Sequence, residues 1–166
     1  MPGVLSRVYL EQWKGIRALT YDYLAVLRPT DLALKLPYPE SQDLLYQFWC
    51  MLGAQQSYLQ ELRAGAWQGF SCSLDALNDY TIEAIEREMR KGDQTMAEVL
   101  DETDLAASLG NGKRGYEVVQ RMVEHEMHHQ GQLINFMFYG HLPIPDSWHE
   151  KWALARDEEE QRSGEA

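Results

Sequence analysis

Residues 118–138 read VVQRMVEHEMHHQGQLINFMF, and this stretch decides the fold that the sequence predicts. Within it, His125, His129 and Gln132 are spaced at i, i+4 and i+7, so they share one narrow stripe of an α-helix. A single histidine on an apolar face is usually an ordinary core residue. Two imidazoles one helical turn apart can point at the same cation, however, and form half of a metal site. The spacing therefore predicts a helix with a metal-binding face.

The rest of the chain shows helical periodicity and no strand-like alternation. Apolar residues at helical spacing predict long helices over residues 6–27, 40–63, 74–91 and 113–139, with a short further helix over residues 96–100. Ser6 and Ser73 are predicted caps, Thr95 opens a capping-box pattern, and Gly92 is predicted to end the third helix. Four long amphipathic helices predict an all-α four-helix bundle, in a single domain over residues 1–155.

Charge and composition exclude several classes of partner. The net charge of −11 disfavours nucleic acid and anionic membranes, because both require a basic protein surface. No apolar stretch approaches the roughly 18 residues that a membrane span requires. Residues 156–166 are strongly acidic and are predicted to form a disordered tail. Two isolated cysteines and the lack of a signal-peptide pattern predict a cytoplasmic protein.

The last long helix is apolar on a second side as well. Val119, Val123, Ile134 and Met137 lie 90° or more from the histidine stripe. A helix that is apolar on two sides needs two partners, one within its own bundle and one that a second copy of the chain could supply. The pattern therefore favours a homodimer.

Residues 125–133, HEMHHQGQL, closely resemble the final-helix signature of the DinB-like superfamily of metalloenzymes. The most specific part is His129-x-Gly131-Gln132-Leu133, and the order of helices resembles that family over most of the chain. The resemblance implies a four-helix bundle in up-down-down-up order, often dimeric. It also implies a divalent metal on three histidines, one from the second helix and two from the last.

Carried onto this chain, the two last-helix ligands fall on His125 and His129, and the family glutamine falls on Gln132, beside the metal or the substrate. The second helix has no histidine; the family's position falls on Cys50, whose thiolate suits zinc but lies off the helix's apolar stripe. Cys50 is therefore either the third ligand or an inert buried thiol. Gln55 lies nearer the middle of that stripe and is a candidate supporting group.

The resemblance implies a metal-dependent enzyme carrying zinc or nickel, with a small-molecule substrate or a thiol cofactor. Characterised relatives include transferases that use low-molecular-weight thiols such as bacillithiol or mycothiol; a metal-dependent hydrolase is also possible. No catalytic residue is assigned, and a substrate pocket is expected near Trp67 and Phe70. The alternative is a silent dimeric bundle or a ligand-binding stress protein with a degenerate metal site. His125-Glu126-x-x-His129 also satisfies the HExxH pattern of zinc proteases, although its continuation fits the DinB-like signature better.

Overall fold

The computed structural model describes residues 3–156, and its regular secondary structure in that range is helical. The elements are α1 (Val4–Val26), a 3-10 helix (Pro29–Ala33), α2 (Leu44–Ala64), α3 (Ser73–Leu77), α4 (Ile82–Glu102), α5 (Gly115–Gly140) and α6 (Asp146–Trp152). The predicted all-α class is confirmed. Apart from Arg156, the predicted acidic tail lies outside the described residues. Within the described range, none of the helices carries an apolar stretch long enough to cross a membrane.

The four long helices pack around two adjoining hydrophobic cores. Helix α2 contacts α4 and α5, and α1 contacts the same two helices. One core surrounds Phe48 and includes Trp148 of α6, so the C-terminal helix closes that end. The other core surrounds Trp13 and Val118. Because α2 and α5 form the most extensive helix pair, side chains on their facing sides are held close together.

A buried polar cluster connects α1 to the other three long helices. The Arg17 guanidinium is 1% exposed; its Nη2 lies 3.3 Å from Oε2 of Glu126 and donates a 3.1 Å hydrogen bond to Oε1 of Gln55. Thr20 Oγ1 donates to Glu126 Oε1 at 2.7 Å, and Gln55 Nε2 donates to Asp93 Oδ1 at 2.9 Å. Buried polar groups require such partners, so these contacts restrict how the four helices can align.

The predicted third helix is wrong, because residues 73–102 form two helices with a different boundary. Asn78 adopts a left-handed conformation (φ 48°) and ends α3, and the Thr81 side chain accepts a hydrogen bond from the amide of Ala84 to open α4. Helix α4 then continues through Gly92 and absorbs the separate helix that was predicted to follow Thr95. Gly92 serves packing: a Cβ there would lie 2.6 Å from Oε1 of Gln55.

Two predicted helix starts also differ from the structure. Ser6 is a buried residue inside α1, which begins after Gly3, so it is not the cap. Helix α2 begins at Leu44 rather than near residue 40, because Asp43 accepts a hydrogen bond from the amide of Tyr46 and caps the helix there. The segment before Asp43 remains a loop, and its position matters for the site described below.

The second apolar side of the last helix is covered within the chain. Val119, Val123 and Met137 of α5 are each at most 1% exposed. The feature that favoured a homodimer is therefore explained by intramolecular packing against α1 and α2. Dimerisation stays a prediction that rests on the family resemblance.

The role of Gly92 predicts a large difference between two glycine substitutions. Gly92→Ala should lower the free energy of unfolding by about 1–3 kcal/mol, because the new methyl group collides with a buried, hydrogen-bonded Gln55. The matched control is Gly131→Ala in α5, where a Cβ meets nothing within 4 Å; alanine there should stabilise the helix by about 0.5–1 kcal/mol. Urea unfolding measures both. Equal effects of the two substitutions would contradict this explanation of Gly92.

Candidate metal centre

Three side chains with metal-ligand chemistry meet where α2 faces α5. Cys50 comes from α2, and His125 and His129 come from successive turns of α5. Their ligand atoms all lie within 4.8 Å of one another. The Cys50 Sγ lies 3.5 Å from Nε2 of His125, and the two histidine Nε2 atoms are 3.1 Å apart. The histidine stripe and the cysteine of the second helix therefore form one cluster.

The spacing of these atoms fits a tetrahedral ion. Zinc bonds of about 2.3 Å to sulfur and about 2.0–2.1 Å to nitrogen, at tetrahedral angles, place neighbouring ligand atoms roughly 3.3–3.6 Å apart. The sulfur–nitrogen distance of 3.5 Å and the nitrogen–nitrogen distance of 3.1 Å need little adjustment to match. Three protein ligands leave a fourth position for water or substrate, as in catalytic zinc sites. The donor set therefore fits the divalent metal that the sequence predicted.

Gln47 orients one of the two imidazoles. Its Oε1 accepts a 2.8 Å hydrogen bond from the Nδ1–H of His129, which leaves the Nε2 lone pair of His129 facing the cluster. Both side chains are buried, Gln47 at 6% exposed and His129 at 4%. Gln47 was not among the residues predicted from the sequence. The available signal was its spacing, since it precedes Cys50 by three residues and interrupts an otherwise apolar helix face.

The electrostatic environment keeps both imidazoles neutral. Burial, with a smaller contribution from the imidazoles of His125 and His128, lowers the pKa of His129 to about 3. Burial also lowers the pKa of His125. A neutral imidazole is the form that binds a metal, so neither histidine must lose a proton first. In contrast, burial raises the pKa of the Cys50 thiol, which must be deprotonated to act as a ligand.

A cleft of about 450 Å³ opens onto the cluster. It is lined by Leu36, Tyr38, Glu40, Ser41, Gln42, Tyr46, Gln47, Cys50, His125, His128, His129, Gln132, Asn135 and Phe136. One wall is thus the loop before α2 and the other is the C-terminal half of α5. The expected pocket beside Trp67 and Phe70 is wrong, because neither residue lines this cleft and the Phe70 ring packs onto Gly53 and Trp49.

The two predicted supporting glutamines lie in different places. Gln132 lines the cleft, where its Nε2 is 3.0 Å from Nε2 of His128. Gln55 is outside the cluster, since its side chain is bonded to Arg17 and Asp93 instead. His128 is exposed and is not part of the three-residue group.

Glu126 is directed at α1 and not at the metal ligands. It is 1% exposed and is held by Arg17 and Thr20 in the buried polar cluster. These contacts give Glu126 a buried ionic role. In the HExxH pattern of zinc proteases the glutamate serves as the general base beside the metal. The contacts of Glu126 therefore oppose that interpretation of residues 125–129.

Gln47 provides a specific prediction. Gln47→Leu, which preserves volume but removes the acceptor, should weaken zinc affinity about 10–100-fold, the usual effect of losing a hydrogen bond to a metal-bound histidine. Isothermal titration with a competing chelator measures the change. Gln42→Leu is the matched control, because Gln42 lines the same cleft but is exposed. A Gln47→Leu affinity equal to that of the control would remove Gln47 from the site.

Comparison with known proteins identifies the architecture. No protein-family model matches the sequence, and no curated protein matches it. The structure is similar to the crystal structure of a DinB-like protein from Bacillus cereus ATCC 10987, with a TM-score of 0.65. The similarity covers 82% of this chain and 93% of that chain, at 20% sequence identity. The chain has the DinB-like fold.

At this identity the likeness establishes the fold, and it confirms the resemblance first indicated by residues 125–133. In this chain, the position of the cluster follows from the pairing of α2 with α5. Where the resemblance implies a histidine from the second helix, this chain presents Cys50 within 3.5 Å of His125.

Proposed function

We propose that the chain is a metal-dependent enzyme that acts on a small molecule in the cleft between α5 and the loop before α2. Cys50, His125 and His129 hold a divalent transition metal, zinc or nickel. The observation that carries the proposal is the spacing of the three donors, with a sulfur–nitrogen distance of 3.5 Å and a nitrogen–nitrogen distance of 3.1 Å. The proposal includes the up-down-down-up helix order, the homodimer and the cytoplasmic location that the resemblance and the sequence predicted.

The reaction class that fits best is transfer involving a low-molecular-weight thiol, with metal-dependent hydrolysis as the other possibility. A divalent cation with an open position lowers the pKa of a bound thiol or water and so generates a nucleophile at neutral pH. The protein's own residues supply the rest. Gln47 fixes the tautomer of His129, burial keeps the imidazoles neutral, and Gln132 faces the space that a substrate would occupy.

Metal analysis of protein purified without a chelator tests the proposal. We expect close to one equivalent of zinc or nickel per chain, and cobalt substitution should give the intense sulfur-to-metal absorption of a cysteine ligand. Cys50→Ser should remove that absorption. Metal-free protein that is fully folded and does not take up added zinc or cobalt would overturn the proposal.

A second candidate is a silent bundle with a degenerate site. One observation favours it: the imidazoles already have hydrogen-bond partners within the protein, since Nε2 of His125 lies 3.1 Å from Nε2 of His129 and Nδ1 of His129 is held by Gln47. The two histidines therefore have hydrogen-bond partners within the protein in the absence of an ion. The same metal analysis separates the two candidates.

Metal affinity should rise with pH. The Cys50 thiol has a raised pKa and is protonated near neutral pH, so metal binding displaces its proton; the two histidines have lowered pKa values and displace none. Affinity should therefore increase up to about tenfold per pH unit between roughly pH 6.5 and 8. Chelator competition across this range measures the slope. In the Cys50→His variant, metal affinity should depend much less steeply on pH. If its pH dependence matches that of the wild type, another group releases the proton.

A further inference from the structure

The charges that line the cleft restrict what can enter it. Among the described residues that form its walls, Glu40 carries the only permanent charge, and it is an exposed carboxylate at the rim. The remaining polar groups are amides, hydroxyls and imidazoles, and no lysine or arginine lines the cleft.

Two cationic residues that neighbour lining residues in the sequence do not line the cleft. Lys35 precedes the lining loop and is exposed outside the cleft. Arg121 lies on α5 one turn before His125, but its charge acts on Tyr58 and it does not line the cleft. The whole chain carries a net charge of −11, which adds a repulsive background for anions. Protein sites for carboxylate or phosphate use arginine, lysine or a metal ion to pair the charge, and apart from the proposed metal this cleft supplies none of these.

We infer that the ligand of this cleft is a neutral or positively charged molecule, and that the cleft rejects carboxylate- or phosphate-bearing ligands. This inference rests on the proposed function, because the ligand is taken to reach an open position on the metal. Glu40 acts as the rim charge that repels anions and attracts an ammonium group. Gln132 and Asn135 on α5 remain as neutral hydrogen-bonding groups along the same wall.

Three small thiols of similar size but different charge test the inference. Cobalt-substituted protein is titrated with cysteamine (positive), 2-mercaptoethanol (neutral) and 3-mercaptopropionate (negative), and the new sulfur-to-cobalt absorption reports binding at the metal. The same titrations are made with Glu40→Gln and with Glu102→Gln, which removes one exposed acidic charge outside the cleft lining. Because intrinsic thiol basicity is the same for every protein variant, it cancels when each preference is expressed relative to the wild type.

The quantity compared is the preference for cysteamine over 3-mercaptopropionate, divided for each variant by the wild-type value. Glu40→Gln should reduce that preference about threefold or more, because it removes the carboxylate charge of the cleft lining, and Glu102→Gln should leave it unchanged. A preference that Glu40→Gln leaves unchanged or increases overturns the inference and leaves the metal site intact. A protein that takes up no cobalt overturns the proposed function and the inference together.

Discussion

Replacing His129 with alanine is expected to weaken zinc binding by at least about 100-fold. Zinc binding at a protein site is worth about 10–16 kcal/mol in total, so each ligand contributes roughly 3 kcal/mol or more, and every 1.4 kcal/mol is tenfold in affinity. His129 should be more sensitive than average, because it is buried and its imidazole is already oriented by Gln47. Chelator competition measures the affinity of the variant.

The neighbouring histidine supplies a matched control. His128→Ala removes an imidazole from the same cleft, but His128 is exposed and is not part of the three-donor cluster, so zinc affinity should change less than about threefold. Because His129→Ala also opens a cavity, circular dichroism must show that it folds. His125 is less buried than His129, and His125→Ala should weaken zinc binding by a similar factor. If His128→Ala weakens zinc binding as much as His129→Ala does, the assignment of the ligands is wrong.

Removing Arg17 should destabilise the protein more than any exposed charge substitution. Arg17→Met leaves the Glu126 carboxyl buried without its cation, and breaking a buried pair in this way costs about 3–5 kcal/mol. Arg63→Met is the control, since Arg63 forms a 3.9 Å pair with Glu98 in which both side chains are more than half exposed, and such pairs contribute about 0–1 kcal/mol. Urea unfolding of the two variants measures the difference.

The Arg17→Met defect should shrink as the pH falls. Burial raises the pKa of Glu126 above its ordinary value of 4.5 in the native protein, and Arg17 opposes the shift, so removing Arg17 raises this pKa further. A raised carboxyl pKa means that the folded state binds more protons than the unfolded state, and stability then increases as pH decreases towards 4.5. Unfolding near pH 7 and near pH 5 tests the sign. Adding Glu126→Leu should restore stability at both pH values, and failure to do so would place the defect elsewhere.

Much of the fold could be predicted, because the histidine motif and helical periodicity are local signals. The errors occurred where tertiary packing overrides local patterns. Gly92 is a plausible helix terminator from its own chemistry, but it lies inside α4, where the absence of a side chain leaves room for Gln55 of α2. Thr95 similarly lies inside α4, since Thr81 already caps that helix.

The site was predictable to the extent that its residues lie on one helix. His125 and His129 follow from spacing within α5, whereas Cys50 and Gln47 depend on how α2 faces α5. The position of Cys50 off the apolar stripe of α2 would disfavour it as a ligand only if α2 had a single buried face. In the structure, α2 packs against both α4 and α5, so a residue away from the centre of its apolar stripe still reaches the histidines. A sequence alone does not specify that second contact.

Cys50 also sets the net charge of the proposed centre. Three neutral imidazoles would leave both positive charges of a divalent cation uncompensated, whereas the thiolate of Cys50 cancels one of them. The lower residual charge withdraws less electron density from whatever occupies the open position, so water bound there should be less acidic than at an all-histidine centre. A sulfur donor also favours softer, thiol-binding metals over those that prefer oxygen. At the proposed centre, a single residue of α2 would thus disfavour water activation and favour sulfur chemistry.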